Sequence, residues 1–389
     1  MLGYELPPDG ATTMNRTAFE PSPALAQQRL ADIDAGYALP TQWYRDPEIF
    51  ALELERIHRR AWHFATHAGD LPKNGDVYLR NVAGVPIALV RDDAGAVRGF
   101  INICRHRGHP VVIQVGNRKT LQCHYHGWKY RLDGSLPNAP HSEDDAHFNP
   151  AELGLVPIAT HVWGPMIWVN LDRSAPSFDD WIRGMPELMK QRGLDVDQHV
   201  FGFDNTWEMD ANWKVFQDNT IECYHCPTTH PELARVLEMK QARQEFHIGN
   251  RYWIHHRIPF REGITSGITF KATPGEQLNY FYYWVFPTTY LQHAGRGFDV
   301  GSVDVIGVDK IGFRHICFLP PTTPAEILAK GKRQLDADAT IAQDVEICNR
   351  VQAGHRTGLA PTARFVAAPE FLLQHFQRLV VEMVCSEAT

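Results

Sequence analysis

No apolar run in this chain reaches the length of a helical membrane span, about 20 residues, so a spanning segment is not expected. No stretch is strongly basic, and the formal net charge is −7, so nucleic acid is not an expected partner. Cysteine is scarce. Seven in 389 residues is an odd count, and four of them crowd into two short motifs. That argues against a disulfide framework and for a reducing cytoplasm. The N-terminal stretch MLGYELPPDGATTMNRT lacks a basic head followed by an apolar core, so no signal peptide is expected. Met14 is an alternative start, with the residues before it a disordered leader. Internal repeats and low-complexity tracts are absent as well.

What is present fits a soluble globular protein with a sizeable core: 44% hydrophobic and 21% charged residues, in a chain long enough for two domains. Residues 1–40, rich in Pro and Ala, are expected to wrap a surface. Phe50, Leu54, Ile57 and Ala61 recur at helical spacing, so one amphipathic helix is expected from Pro47 to about Trp62. Short aliphatic and aromatic runs follow, with Asp92-Asp93-Ala94-Gly95 as a hairpin turn, and residues of about 60–172 read as a small antiparallel β domain. Beyond Ser174 helix and strand mix. Helices are expected at Asp179–Gln191, from Asn212 to about Glu222, and at about 324–353 and 369–384. Strands are expected at Phe201–Met209 and about 251–259, 279–286 and 299–318. The class is α+β, divided as 1–58, 59–172 and 173–389.

Two motifs carry chemistry. The first is Cys104-Arg105-His106, then Cys123-His124-Tyr125-His126. Paired thiolates and imidazoles suit zinc or an iron–sulfur cluster. Zinc fingers place their cysteines together and their histidines together. Here Cys-His is followed by Cys-His, within strands and loops, which favours a Rieske [2Fe–2S] centre with two cysteines on one iron and two histidines on the other. His109 and His124 lie off the pattern and read as flanking or surface residues. Gly127 and Trp128 are expected to shape and shield the second loop.

The second is Glu222-Cys223-Tyr224-His225, with His230 five residues later. On a regular helix, residues five apart point about 140° away from each other. Pro227 and Pro231 can break the helix and bring both imidazoles together. Cys223 and Cys226 form a C-x-x-C pair, open to redox or zinc chemistry, and read here as buried inert thiols. Asp218 and Asn219 are either near the metal or on a solvated helix face. Tyr280, Tyr282, Trp284 and Phe286 share one face of a strand, either as ordinary core or as a cage for a cationic ammonium group. Residues 293–298 and 355–368 are expected at the pocket mouth.

Together, Cys104-x-His106…Cys123-x-x-His126-Gly127-Trp128 and the segment Asn212–Pro231 resemble the Rieske non-haem iron oxygenases of the large-subunit type, and the resemblance runs from about residue 40 to the end. It implies a [2Fe–2S] cluster on Cys104, His106, Cys123 and His126, and mononuclear Fe(II) on His225, His230 and one carboxylate. Asp344 is the choice for that carboxylate, because the resembling family's third ligand occupies a late helix of similar texture. Asp344 also lies beside an apolar stripe of Ile341, Val345, Cys348 and Val351, where an unpaired charge is costly. Asp336, Asp338 and Glu346 read as solvated. In the resembling family an acidic residue at Glu222 bridges His225 to a neighbouring subunit's cluster histidine, here His126. Asn219 is expected near the iron. The resemblance further implies a terminal oxygenase fed by an NAD(P)H-dependent flavin/iron–sulfur reductase, with or without a ferredoxin. It would hydroxylate or demethylate a small organic compound with O2, as a homotrimer. A Rieske electron carrier without oxygenase activity and a zinc-binding interaction module are the alternatives.

Overall fold

The structure, a computed structural model, describes residues 19–240, 244–264, 277–295, 297–366 and 369–386. Met14 and the expected leader lie outside these. The first helix, α1 (Pro23–Asp34), replaces the surface wrap expected for this region. Ser22 caps it by accepting from the Leu25 amide, and Pro23 sits in its first turn, where no amide partner is needed. α2 (Pro47–Glu53) is capped by Asp46 and runs into a π-helical turn at Leu54–His58, so the helix ends short of Trp62.

The β domain forms as read. Strands β1 (His63–His67), β2 (Asp76–Val82), β3 (Val85–Arg91), β4 (Val97–Ile101), β5 (Gly116–Asn117), β8 (Pro157–Trp163) and β9 (Met166–Asn170) make a seven-stranded sheet in the order β1-β9-β8-β4-β3-β2-β5. A small hairpin of β6 (Leu121–Gln122) and β7 (Lys129–Tyr130) stands apart. Asp92 turns β3 into β4 by accepting from the Ala94 and Ala96 amides.

The second sheet is also seven-stranded. It comprises β10 (Val200–Met209), β11 (Glu245–Asn250), β12 (Trp253–Pro259), β13 (Asn279–Val285), β14 (Thr289–His293), β15 (Phe298–Gly307) and β16 (Lys310–Leu319), in the order β10-β16-β15-β14-β13-β12-β11. β11 and β14 are additions to the expected strands. The helix expected over 179–191 is two, α3 (Phe178–Trp181) and α4 (Met185–Gln191), parted by Gly184 at φ +86°. Arg80 of β2 ties the two sheets together by donating to Asp304 of β15 at 2.7 Å.

One large core joins the N-terminal helices, the second sheet and the last helix. Ile33, Trp43, Ile49 and Ile57 are buried with Trp213, Trp284 and Phe376. Inside it lies an ion pair: Lys214 Nζ is 2.6 Å from Glu53 Oε1, both side chains fully buried, and the Trp213 indole also donates to Glu53. Burial pushes the Glu53 carboxyl up and the Lys214 amine down, and the pairing opposes both shifts. Removing one partner strands the other charge. Lys214→Met is expected to cost about 3–5 kcal/mol, read as a lowered thermal midpoint, while the double change Glu53→Gln with Lys214→Met costs less. Equal losses in both variants would refute the pairing argument.

Candidate active site

The two cysteine–histidine loops are built alike. In each, the glycine amide closes back on the cysteine carbonyl: Gly108 to Cys104 and Gly127 to Cys123, both at 3.0 Å. Both glycines sit at φ +75°, a backbone state open to them because they lack Cβ. The Cys104 amide also bonds the His109 carbonyl and the Cys123 amide the Trp128 carbonyl, pinning the loops at their bases. Both thiols are buried. Both histidines lie at the exposed edge with ring centres 4.5 Å apart, and His106 stacks on Trp128. The Tyr130 hydroxyl, 3.4 Å from Cys104 Sγ, supports one thiol from behind. His109 Nδ1 lies 3.9 Å from Cys123 Sγ, beside the loops, and His124 is exposed. Two thiols inside, two imidazoles outside, all four converging, is a donor set that fits a [2Fe–2S] cluster with unequal irons.

The second motif is broken into three short helices: α5 (Trp213–Thr220), α6 (Cys226–Thr229) and α7 (Pro231–Val236). Asn212 caps α5, while Pro227 and Pro231 each sit in a first turn. His225 precedes α6, and His230 stands between α6 and α7 at φ −115°, ψ 72°. The breaks bring His225 Nε2 to 3.2 Å from His230 Nε2.

Two helices stand where one was expected late in the chain: α8 (Ala325–Asp336) and α9 (Ala339–Arg356). Asp338 is not simply solvated. It is half-buried and caps α9 by accepting from the Thr340 and Ile341 amides. Asp336 and Glu346 are exposed, on Lys332 and Arg350. Along α9 the inner positions are Ile341, Val345, Cys348 and Gln352, since Val351 is 43% exposed. Gln352 earns its place by bonding the Asn212 amide and the Tyr44 carbonyl.

Asp344 projects from α9 so that Oδ1 lies 3.0 Å from His230 Nε2 and 3.6 Å from His225 Nε2. Donors about 2.1 Å from one ion and at right angles to each other stand roughly 3 Å apart, so this face fits a two-histidine, one-carboxylate metal centre. Electrostatics agree. Burial lowers the His225 imidazole, but Asp344 and Glu222 raise it to about 9, so the site draws positive charge. Burial raises the Asp344 carboxyl, and the two histidines hold it below the usual range.

Glu222 Oε1 is 2.5 Å from His225 Nδ1, and Oε2 accepts from the Tyr224 amide. Among the described residues it makes no contact with a cluster loop. Asn219 Nδ2 donates to Asp344 Oδ1 at 3.2 Å. Asp218 points away, onto Tyr44 and Gln377, and burial lifts its carboxyl to about 6. Cys223 and Cys226 are joined in a disulfide, which corrects the inert-thiol reading. A turn that brings His225 toward Asp344 also brings the two sulfurs together.

The family described as "Rieske [2Fe-2S] domain" matches residues 61–157, and that described as "Ring hydroxylating alpha subunit (catalytic domain)" matches residues 196–386. Choline monooxygenase from Spinacia oleracea is 33% identical over 342 residues, covering 87% of this chain and 76% of that protein. This chain is a Rieske non-haem iron oxygenase. The carnitine monooxygenase oxygenase subunit of Escherichia coli is 28% identical over 70% of the chain and 71% of its own length. A solved quaternary ammonium Rieske monooxygenase superposes with a TM-score of 0.80 at 23% identity, over 91% of this chain and 97% of that one. Naphthalene 1,2-dioxygenase from Rhodococcus sp. gives 0.78 at 20%, over 94% and 98%. At these identities the solved structures speak to the fold alone. The oxygenase thus carries a Rieske [2Fe–2S] domain and a catalytic domain that binds mononuclear iron, works with a reductase or ferredoxin, and consumes O2.

A cavity of about 220 Å³ opens beside His225, His230 and Asp344. Tyr280, Tyr282 and Tyr290 line it, with His256, Gln292, His315, Asp338 and Ile341. Trp284 and Phe286 instead pack in the core. Tyr290, which the sequence reading missed, stacks on Tyr282 at 5.1 Å. Across the sheet it faces Gly301, where any Cβ would collide with its ring. Gln343, also missed, lies 2.8 Å from His230 Nδ1. The described residues of 293–298 and 355–368 do not line this cavity. A further donor group joins His315 of the wall to Asp299 and Cys317 behind it, with Gln292 on Asp299 and Tyr290 on His315. No described helix is long and apolar enough to cross a membrane.

Proposed function

We propose that this oxygenase hydroxylates or oxidatively demethylates a small quaternary or N-methylated ammonium compound. The cavity carries this reading. It is small beside the roughly 300–1,000 Å³ of drug-sized sites. Three tyrosines wall it, and aromatic rings attract ammonium groups. Glu222, Asp338 and Asp344 line it, while no Lys or Arg does among the described residues. Asp299 adds charge from behind. Burial, then the fields of Asp299 and Asp344, pushes the Tyr280 phenol up, so that negative field is felt in the wall. The choline and carnitine monooxygenases among its relatives point the same way.

In this reading Cys104 and Cys123 hold one iron of the cluster and His106 and His126 the other, and His225, His230 and Asp344 hold the mononuclear iron. When bound, these groups store electrons and reduce dioxygen. Gln343 and Glu222 fix the outer nitrogens of His230 and His225, so both Nε2 atoms face inward. Asn219 steadies Asp344. Glu222 further serves as the bridge to His126 of an adjacent copy in a homotrimer, and the exposed position of His126 suits it. An NAD(P)H-dependent flavin/iron–sulfur reductase, directly or through a ferredoxin, supplies the electrons. We divide the chain at 1–58, 59–172 and 173–389, the first segment sharing the catalytic core through Ile33, Trp43 and Ile49, and place the protein in the cytoplasm.

Turnover of a compound panel with a generic reductase and NADH tests the substrate class. Ammonium compounds are expected to yield hydroxylated products or formaldehyde by mass spectrometry, while aromatic acids, lacking a cationic partner, yield little. The reverse pattern would remove the ammonium reading.

A further inference from the structure

His256 is a buried histidine without a stated job. It sits on β12, opposite Tyr282 of β13, and only 3% of it is exposed. Its side chain lines the cavity beside the proposed iron ligands. Neither Nδ1 nor Nε2 has a hydrogen-bond partner among the described residues. Its contacts are ring contacts, edge-on to Tyr282 with centres 4.6 Å apart, and against Phe246 and Tyr280. Two unpaired polar atoms at such depth carry the desolvation cost of both, and buried side-chain polar atoms nearly always find a partner. Tyr280, Tyr282 and Tyr290 have theirs within the fold, on Gln292, Thr220 and His315. Among the described wall residues, His256 keeps both ring nitrogens unpaired, and that hydrogen-bonding capacity is left for what enters the cavity.

Chemistry narrows the guest. Burial, then the neighbouring His255 and Arg192, pushes this imidazole down to about 3. At neutral pH it carries one donor and one acceptor and no charge. Such a ring serves a hydroxyl, which both gives and takes a hydrogen bond, and is a poor counter-ion for a carboxylate. We infer that His256 is a specificity-determining residue that hydrogen-bonds a neutral polar group, foremost a hydroxyl, on an ammonium substrate whose cationic end rests against the tyrosines. The inference deepens the ammonium reading and rests on it. It separates alcohol-bearing cations from zwitterions and from bare alkylammonium ions.

The test pairs two cations, (2-hydroxyethyl)trimethylammonium and its deoxy counterpart ethyltrimethylammonium, on the iron-loaded enzyme, with kcat/KM from O2 uptake and affinity from calorimetry. Wild type should favour the hydroxylated cation by about tenfold or more, because the deoxy compound leaves the imidazole unpaired. His256→Phe should lower both measures for the hydroxylated cation by about tenfold to a hundredfold and leave the deoxy cation within about twofold. His256→Gln, whose amide again donates and accepts, should restore much of the preference. Equal losses for both cations would mean that His256 only packs, and no loss for either would mean that it does not touch the substrate. Should His256→Phe fail to fold, the wild-type ratio still decides, since equal efficiency toward the two cations overturns the inference while leaving the ammonium reading intact. Failure of wild type to bind or turn over either cation would instead strike the ammonium reading itself, and this inference with it.

Discussion

Asp344→Ala is expected to yield a brown protein that retains its cluster, has lost its mononuclear iron and makes no product. The carboxylate is the third corner of a face whose other corners lie 3.0 and 3.6 Å away. Two imidazoles alone make a weak iron(II) site, so the loss should exceed the 10- to 100-fold typical of changes to groups that merely orient a ligand. The fold should survive. Alanine favours helix, α9 keeps its cap at Asp338, and the buried Cys348 and Gln352 still anchor it. The chromophore lies on loops that Asp344 does not touch. Metal analysis, cluster absorbance and product assay separate the effects. Asp338→Ala is the control: losing a cap costs about 1 kcal/mol but should leave iron in place. Product formation by Asp344→Ala would remove Asp344 from the site, and iron loss in Asp338→Ala would put the wrong aspartate at the metal.

Both motifs could be read from sequence because their chemistry is local. Cys-x-His and Cys-x-x-His put each ligand pair on one loop, and Pro227 and Pro231 announce that the second segment cannot run on as a helix. Asp344 was reachable through the family resemblance, which points to a late helix, and through its place beside an apolar stripe, where an unmatched charge is costly. The stripe itself slipped by one position: Val351 looked the better core residue, yet Gln352 is buried because its amide meets two backbone groups that only the folded chain brings near. Tyr290 and Gln343 were invisible for the same reason. One depends on the pairing of β14 with β13 and β15, the other on α9 meeting His230 in the break between α6 and α7. The helix Pro23–Asp34 escaped notice because its face is only weakly apolar, although Ser22-Pro23 was a legible start signal. The disulfide follows from the turn at His225, which spacing alone left open.

Glu222→Gln is expected to keep both metals bound while slowing electron transfer from cluster to mononuclear iron by about 10- to 100-fold. Glutamine preserves size and still reaches His225 Nδ1, so the imidazole keeps its orientation and Nε2 keeps facing Asp344. What goes is the negative charge. Against the lowering effect of burial, Asp344 and then Glu222 raise the basicity of the His225 ring, and a neutral amide cannot accept hydrogen bonds from two imidazoles as a carboxylate can. A role confined to one chain and a role in bridging two copies predict different outcomes. If Glu222 only orients His225, glutamine keeps that contact, so iron content and transfer rate should both stay near wild type. If it bridges, the iron content should hold while reoxidation of a pre-reduced cluster slows in rapid-mixing single turnovers. Wild-type reoxidation rates at full iron loading would refute the bridge, whatever happens to steady-state turnover.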